Sequence, residues 1–90
     1  MSRIEKIQKI LEEIEIIERI IRPYESYTPD VSWGLRFLAT IKDDLRDPEA
    51  ADLKWVLERL REAENVADMY RGYEPADEAV RHIAEIRRII

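Results

Sequence analysis

The chain has 90 residues, of which 46% are hydrophobic and 39% charged, with a formal net charge of −5 and no cysteine. This composition predicts one folded domain, residues 1–90, and excludes a disordered chain. The acidic balance disfavours nucleic acid as a partner, because phosphate binding needs a basic face, and the lack of cysteine excludes disulfides and thiolate metal sites.

The first predicted helix covers residues 3–22. Ser2 and Glu5 have the spacing of a capping box at its start, and Pro23 cannot continue it. Apolar residues recur at the helical period and form one broad face towards the core. These residues are Ile4, Ile7, Ile10, Leu11, Ile14, Ile17 and Ile21.

The second predicted helix covers residues 29–46. Pro29 suits its first position, because a helix leaves that N–H unpaired, and Asp30 favours the positive end of the helix dipole. Gly34 lies on the apolar face of this helix, which predicts close approach of a neighbouring backbone or side chain.

The third and fourth predicted helices cover residues 49–70 and 75–90, and each begins next to a proline accompanied by acids. The short Asp47-Pro48 turn predicts that the second and third helices are antiparallel neighbours. Gly72 suits the left-handed residue that ends a helix. Four helices without an internal repeat predict an all-α fold, a compact four-helix bundle.

Glu18 is a carboxylate whose helical phase places it within the apolar face of the first helix. One interpretation is a catalytic base or a cofactor-binding group in an apolar pocket. The interpretation that we favour is a face that opens to the surface at this turn, or a pairing with Arg22 one turn later.

His82 is the only histidine, and Glu78 and Glu85 lie within its reach on the fourth helix. It could act as a general base or as a ligand of a metal or haem. We favour a boundary histidine paired with a helical neighbour, because one histidine without cysteine is a poor zinc site and no complete catalytic set accompanies it. We therefore predict no enzymatic activity, no metal and no cofactor.

Aromatic residues are many for so small a bundle: Tyr24, Tyr27, Trp33, Phe37, Trp55, Tyr70 and Tyr73. Aromatic residues at helical spacing usually belong to the core or its rim. The alternative is a small-molecule or cofactor pocket near Glu18, Trp33 and His82, which requires a cavity of roughly several hundred Å³.

Two apolar sets lie off the main helical faces, and they supply five interface candidates: Ile16, Ile20, Trp55, Val66 and Met69. A helix that packs on two neighbours would bury such residues, whereas an exposed set would mark a protein–protein contact. The leading functional prediction is a non-enzymatic scaffold or protein-interaction domain, with a protein partner or a second copy of the chain. A ligand-binding bundle is the alternative.

The chain resembles de novo designed helical bundles as a class, over its whole length. The resemblance rests on the capping box at Ser2 and Glu5, the helix starts at Pro29, Pro48 and Pro75, the glycine at position 72 and the absence of cysteine. Natural thermophile proteins share these features, and the irregular segment 23–28 and Gly34 depart from the designed pattern. The resemblance implies a scaffold, or a binder built for a chosen target.

No apolar run approaches the about 20 residues that span a bilayer, and the N-terminus lacks an apolar signal core. We therefore expect no membrane contact. We expect a cytoplasmic location, or no natural compartment if the chain is designed.

Overall fold

The computed structural model describes all 90 residues and contains four α-helices and one short 3-10 helix. The α-helices are α1 (Arg3–Ile21), α2 (Pro29–Asp44), α3 (Leu53–Asp68) and α4 (Glu74–Ile89), and the 3-10 helix is Arg22–Tyr24. The predicted all-α four-helix bundle is confirmed. None of the helices combines the length and the apolar character that crossing a membrane requires.

The four helices are arranged in chain order around a common core. Each packs against its neighbours in sequence, and α1 also packs extensively against α4, so that α1 and α3 are diagonal, as are α2 and α4. The molecule measures 37 × 21 × 20 Å, which is two helix diameters in both short directions. Short connections make consecutive helices antiparallel, so α1 and α3 end where α2 and α4 begin.

Polar caps and prolines begin the helices largely where the sequence predicts. The hydroxyl groups of Ser2 and Thr28 cap α1 and α2, each accepting a hydrogen bond from a backbone N–H two or three residues later. Pro75 lies in the first turn of α4, and Gly72 before it has a φ of 98°. The starts of α1, α2 and α4 and the left-handed glycine are therefore confirmed.

The predicted start of the third helix at Glu49 is wrong, because α3 begins at Leu53. Asp47 and Pro48 begin only one turn, in which the Asp47 carboxylate accepts a hydrogen bond from the Glu49 N–H at 3.1 Å. Asp52 then caps α3 with its own carboxylate. The connection between α2 and α3 is thus the segment 45–52 and not a minimal turn.

Arg3 holds this connection outside the helix. Its guanidinium group donates hydrogen bonds to the carbonyl oxygens of Pro48, at 2.7 Å, and Ala51. In a helix begun at Glu49 those carbonyls would accept N–H groups of the next turn. The contact instead ties the start of α1 to the α2–α3 connection.

Large aliphatic side chains fill the middle of the bundle and the end at which α1 and α3 begin. Eight of them are almost completely buried: Ile7, Ile10, Ile14, Ile41, Leu45, Val56, Leu60 and Ile86. Of the predicted apolar face of α1, only Ile4 is exposed. The opposite end of the bundle is packed differently, because its interior positions carry glycine and alanine.

No neighbour requires glycine at position 34. A Cβ built on Gly34 would lie 3.6 Å from Cδ1 of Ile21, which is an ordinary van der Waals distance. We expect Gly34→Ala to raise the free energy of unfolding by about 0.5–1 kcal/mol, because alanine loses less backbone entropy in a helix. Urea unfolding followed by far-ultraviolet circular dichroism measures this change.

Gly72→Ala is the matched control for that substitution. The backbone of Gly72 has a positive φ that residues with an L side chain rarely adopt. We therefore expect Gly72→Ala to lower the free energy of unfolding by about 1 kcal/mol. A Gly34→Ala variant less stable than the wild type would contradict the packing described here.

Candidate functional site

A cavity of about 390 Å³ lies at the end of the bundle where α1 and α3 end and α2 and α4 begin. Fifteen of its nineteen lining residues are hydrophobic, and all four helices and the connection after α1 contribute to it. Its volume and apolar lining are in the range of pockets that hold small organic molecules.

The cavity exists because small residues occupy interior positions. Gly34 on α2, Ala63 and Ala67 on α3, and Ala76 and Ala79 on α4 all line it. The large aliphatic residues in the middle of the bundle and at its other end, where α1 and α3 begin, set the distance between the helices. Stiff helices keep that distance along their length, so the alanines leave volume that no side chain fills.

Five of the seven aromatic residues line this cavity: Tyr24, Tyr27, Trp33, Tyr70 and Tyr73. Tyr27 and Tyr73 are 77% and 70% exposed, which places them at its rim. Tyr24 lies beside Tyr27, with 5.7 Å between ring centroids. The sequence allowed two interpretations of the aromatic residues, packing in the core or its rim and lining a pocket. These five residues line a cavity.

The other two aromatic residues, Phe37 and Trp55, lie outside the cavity. Phe37 stacks on Trp33 with ring centroids 4.7 Å apart. The guanidinium carbon of Arg59 lies 5.8 Å from the Phe37 ring centroid and 5.0 Å from that of Trp55. The contact with Phe37 joins α3 to α2, whereas Arg59 and Trp55 both belong to α3.

A small polar cluster interrupts the apolar lining. The Tyr70 hydroxyl donates a hydrogen bond to Oδ2 of Asp30, and it lies 2.8 Å from the Thr28 hydroxyl. Because the single phenolic hydrogen goes to Asp30, Thr28 is the donor in the second bond. The cluster joins the segment just after α3 to the first turn of α2.

Glu18 is buried, with 7% of its surface exposed. Its Oε1 lies 2.8 Å from Nζ of Lys42 on α2. The predicted pairing with Arg22 is therefore wrong, and the face does not open at this turn. Glu18 belongs to an α1–α2 ion pair and does not line the cavity.

His82 is half-buried, and its Nδ1 lies 2.5 Å from Oε2 of Glu13 on α1. The predicted pairing with Glu78 or Glu85 is wrong, since both carboxylates face arginines of α4. His82 thus joins α1 to α4, and it lies outside the cavity. No group of three or more histidine, cysteine, aspartate or glutamate residues is arranged to hold a metal ion.

The interface candidates do not share one exposed surface. Ile16, Ile20, Trp55 and Val66 are half-buried, and Met69 alone is exposed, at 66%. Trp55 packs against the core and Val66 lines the cavity.

The polar cluster was not predicted from the sequence. Thr28 and Asp30 are recognisable as a helix start, but Tyr70 lies 40 residues beyond Asp30, and helical phase alone does not pair them. The alanines that line the cavity fit the apolar faces of their helices, where their small size gives no sign of unfilled volume. Comparison with protein-family models, curated protein sequences and solved structures finds no match for this chain.

The Glu18–Lys42 ion pair gives a stability prediction. Lys42→Met leaves a buried carboxylate without its cation, and we expect the free energy of unfolding to fall by about 1–3 kcal/mol. The lower part of that range allows for the partial exposure of Lys42. Denaturant unfolding provides the measurement.

The double variant Glu18→Leu/Lys42→Met tests the cause of that loss. Replacing both charges by apolar side chains removes the desolvation penalty together with the pair, so we expect a stability within about 1 kcal/mol of the wild type. A double variant less stable than Lys42→Met alone would show that the buried charge is not responsible.

Proposed function

We propose that this chain is a non-enzymatic binding domain whose ligand is an apolar small molecule held in the cavity. The observation that carries this proposal is the volume of about 390 Å³ with a mainly hydrophobic lining. A well-packed bundle of this size would bury such side chains against one another. Here they face a space that a ligand can fill.

The energetics favour an apolar ligand. Each 100 Å² of apolar surface removed from water contributes about 2.5 kcal/mol before the costs of association. The rim tyrosines Tyr27 and Tyr73 would cover the exposed side of such a ligand with their rings. Their hydroxyl groups would stay in water, which suits the amphipathic character of tyrosine.

The placement of Glu18 and His82 supports a binding role over catalysis. Each is held in a pair with a residue of a neighbouring helix and lies outside the cavity. A general acid or base must come within hydrogen-bonding distance of the bound molecule. A cytoplasmic location accompanies this proposal because the chain has no cysteine. A designed origin stays a prediction.

Bromobenzene, which is small, uncharged and apolar, is a suitable probe because bromine quenches tryptophan fluorescence at close contact. Trp55→Phe leaves Trp33, which lines the cavity, as the only tryptophan, and Trp33→Phe leaves Trp55 outside it. We expect saturable quenching of Trp33 and only weak, linear quenching of Trp55. Quenching that is linear for both tryptophans would overturn the proposal.

A pair of substitutions on α4 then locates the site. Ala76→Phe places a ring in the cavity, and Ala84→Phe places the same ring on the exposed face of the helix. We expect the first to weaken bromobenzene binding by about tenfold or more, equivalent to about 1.4 kcal/mol, and the second to leave it unchanged. Equal effects of the two substitutions would place the probe elsewhere.

A protein-interaction role is the second candidate function, favoured by the partial exposure of Ile16 and Ile20 on α1 and, separately, by the exposure of Met69 just after α3. Self-association through the two isoleucines predicts a dimer for the wild type and a monomer for the double variant Ile16→Glu/Ile20→Glu. Light scattering over a range of concentrations measures both. A monomeric wild type rules out self-association through this surface.

A further inference from the structure

The cavity contains one charged residue among its nineteen lining residues, and that residue is Asp30. No lysine, arginine or histidine forms an ion pair with Asp30. By contrast, Oε1 of Glu18 lies 2.8 Å from Nζ of Lys42. A carboxylate in an apolar lining attracts a cation more strongly than one in open water. The cavity therefore has a single negative charge whose counterion the protein does not supply.

The hydrogen bonds around Asp30 form a chain that ends at one oxygen of its carboxylate. The backbone N–H of Asp30 donates to the Thr28 hydroxyl at 3.2 Å, Thr28 donates to Tyr70, and Tyr70 donates to Oδ2. The protein donates no hydrogen bond to the second oxygen, Oδ1. An incoming donor can therefore bind the carboxylate without displacing Tyr70.

The aromatic lining favours the same kind of ligand. The face of an aromatic ring carries negative potential and attracts an ammonium group within about 6 Å of its centroid. Five such rings line the cavity, and Tyr70 among them contacts Asp30 directly. The net charge of −5 adds a weak attraction for cations at longer range.

We infer that the cavity selects ligands that carry a protonated amine on an apolar body, with the ammonium group on Asp30 and the body against the alanines of α3 and α4. This inference rests on the proposed function, because it needs the cavity to bind a small molecule. An anionic ligand would meet the Asp30 carboxylate in a lining that holds no lysine or arginine. An uncharged ligand would gain binding free energy only from contact with the apolar lining.

Three compounds with one ring system test this inference by isothermal titration calorimetry at neutral pH. 1-Naphthylmethylamine is protonated, 1-naphthalenemethanol is uncharged and 1-naphthoate is anionic. We expect the amine to bind the wild type about tenfold more tightly than the alcohol, and the carboxylate to bind most weakly.

Asp30→Asn removes the charge but keeps an oxygen that accepts the Tyr70 hydrogen bond. We expect it to reduce the advantage of the amine over the alcohol to about twofold, with little change for the alcohol. Asp43→Asn, on the exposed side of the same helix, changes the net charge equally and should retain the wild-type ranking. Circular dichroism confirms that each variant is folded, and the ranking of the three compounds on the wild type is informative without any variant.

The outcomes separate this inference from the proposed function. If the alcohol binds and the amine binds no more tightly, amine selection is wrong and the apolar cavity stands. If the advantage of the amine persists in Asp30→Asn, the charge of Asp30 is not its cause and the inference is likewise overturned. If none of the compounds binds and bromobenzene does not quench Trp33, the proposed function fails together with the inference.

Discussion

The packing of branched aliphatic side chains in one half of the bundle sets the distance between the helices everywhere else. Residues such as Ile10, Ile14 and Leu60 are fully buried, and their bulk holds the helix axes apart. Helices are stiff on this length scale, so the axes stay apart where the interior residues become alanine and glycine. The cavity is thus a consequence of changing side-chain size along a bundle of nearly constant width.

Polar contacts hold α2 to both of its neighbours in the bundle. Lys42 joins it to Glu18 of α1, and its first turn is joined to Tyr70 by Thr28 and Asp30. The contacts of α2 with α1 and α3 are sparser than those between α1 and α4. Directional bonds therefore matter most for the helix with the least packing, because an apolar contact alone would allow it to shift.

The sequence predicts the helices well because caps and prolines act locally. Ser2, Thr28 and Pro75 begin helices where local chemistry favours them, and the error at Glu49 arose where Asp47 and Asp52 compete as caps. Helical phase also places Glu18 within the apolar face of α1. Its partner could not be predicted, because Lys42 lies on another helix and reaches Glu18 only through the tertiary arrangement. The same limit applies to the contact between His82 and Glu13, and to the cavity, which depends on four helices at once.

The same hydrogen bonds of the polar cluster stabilise the fold and orient the carboxylate at the cavity. Asp30 lies in the first turn of α2, where the helix dipole favours a negative charge, and Tyr70 holds one of its oxygens. The first interaction stabilises the start of α2 and the second joins it to the segment after α3, whether or not a ligand is present. They also fix the orientation of the carboxylate in advance, so a ligand need not order it on binding. A cation recognised here would therefore use a group that folding has already placed.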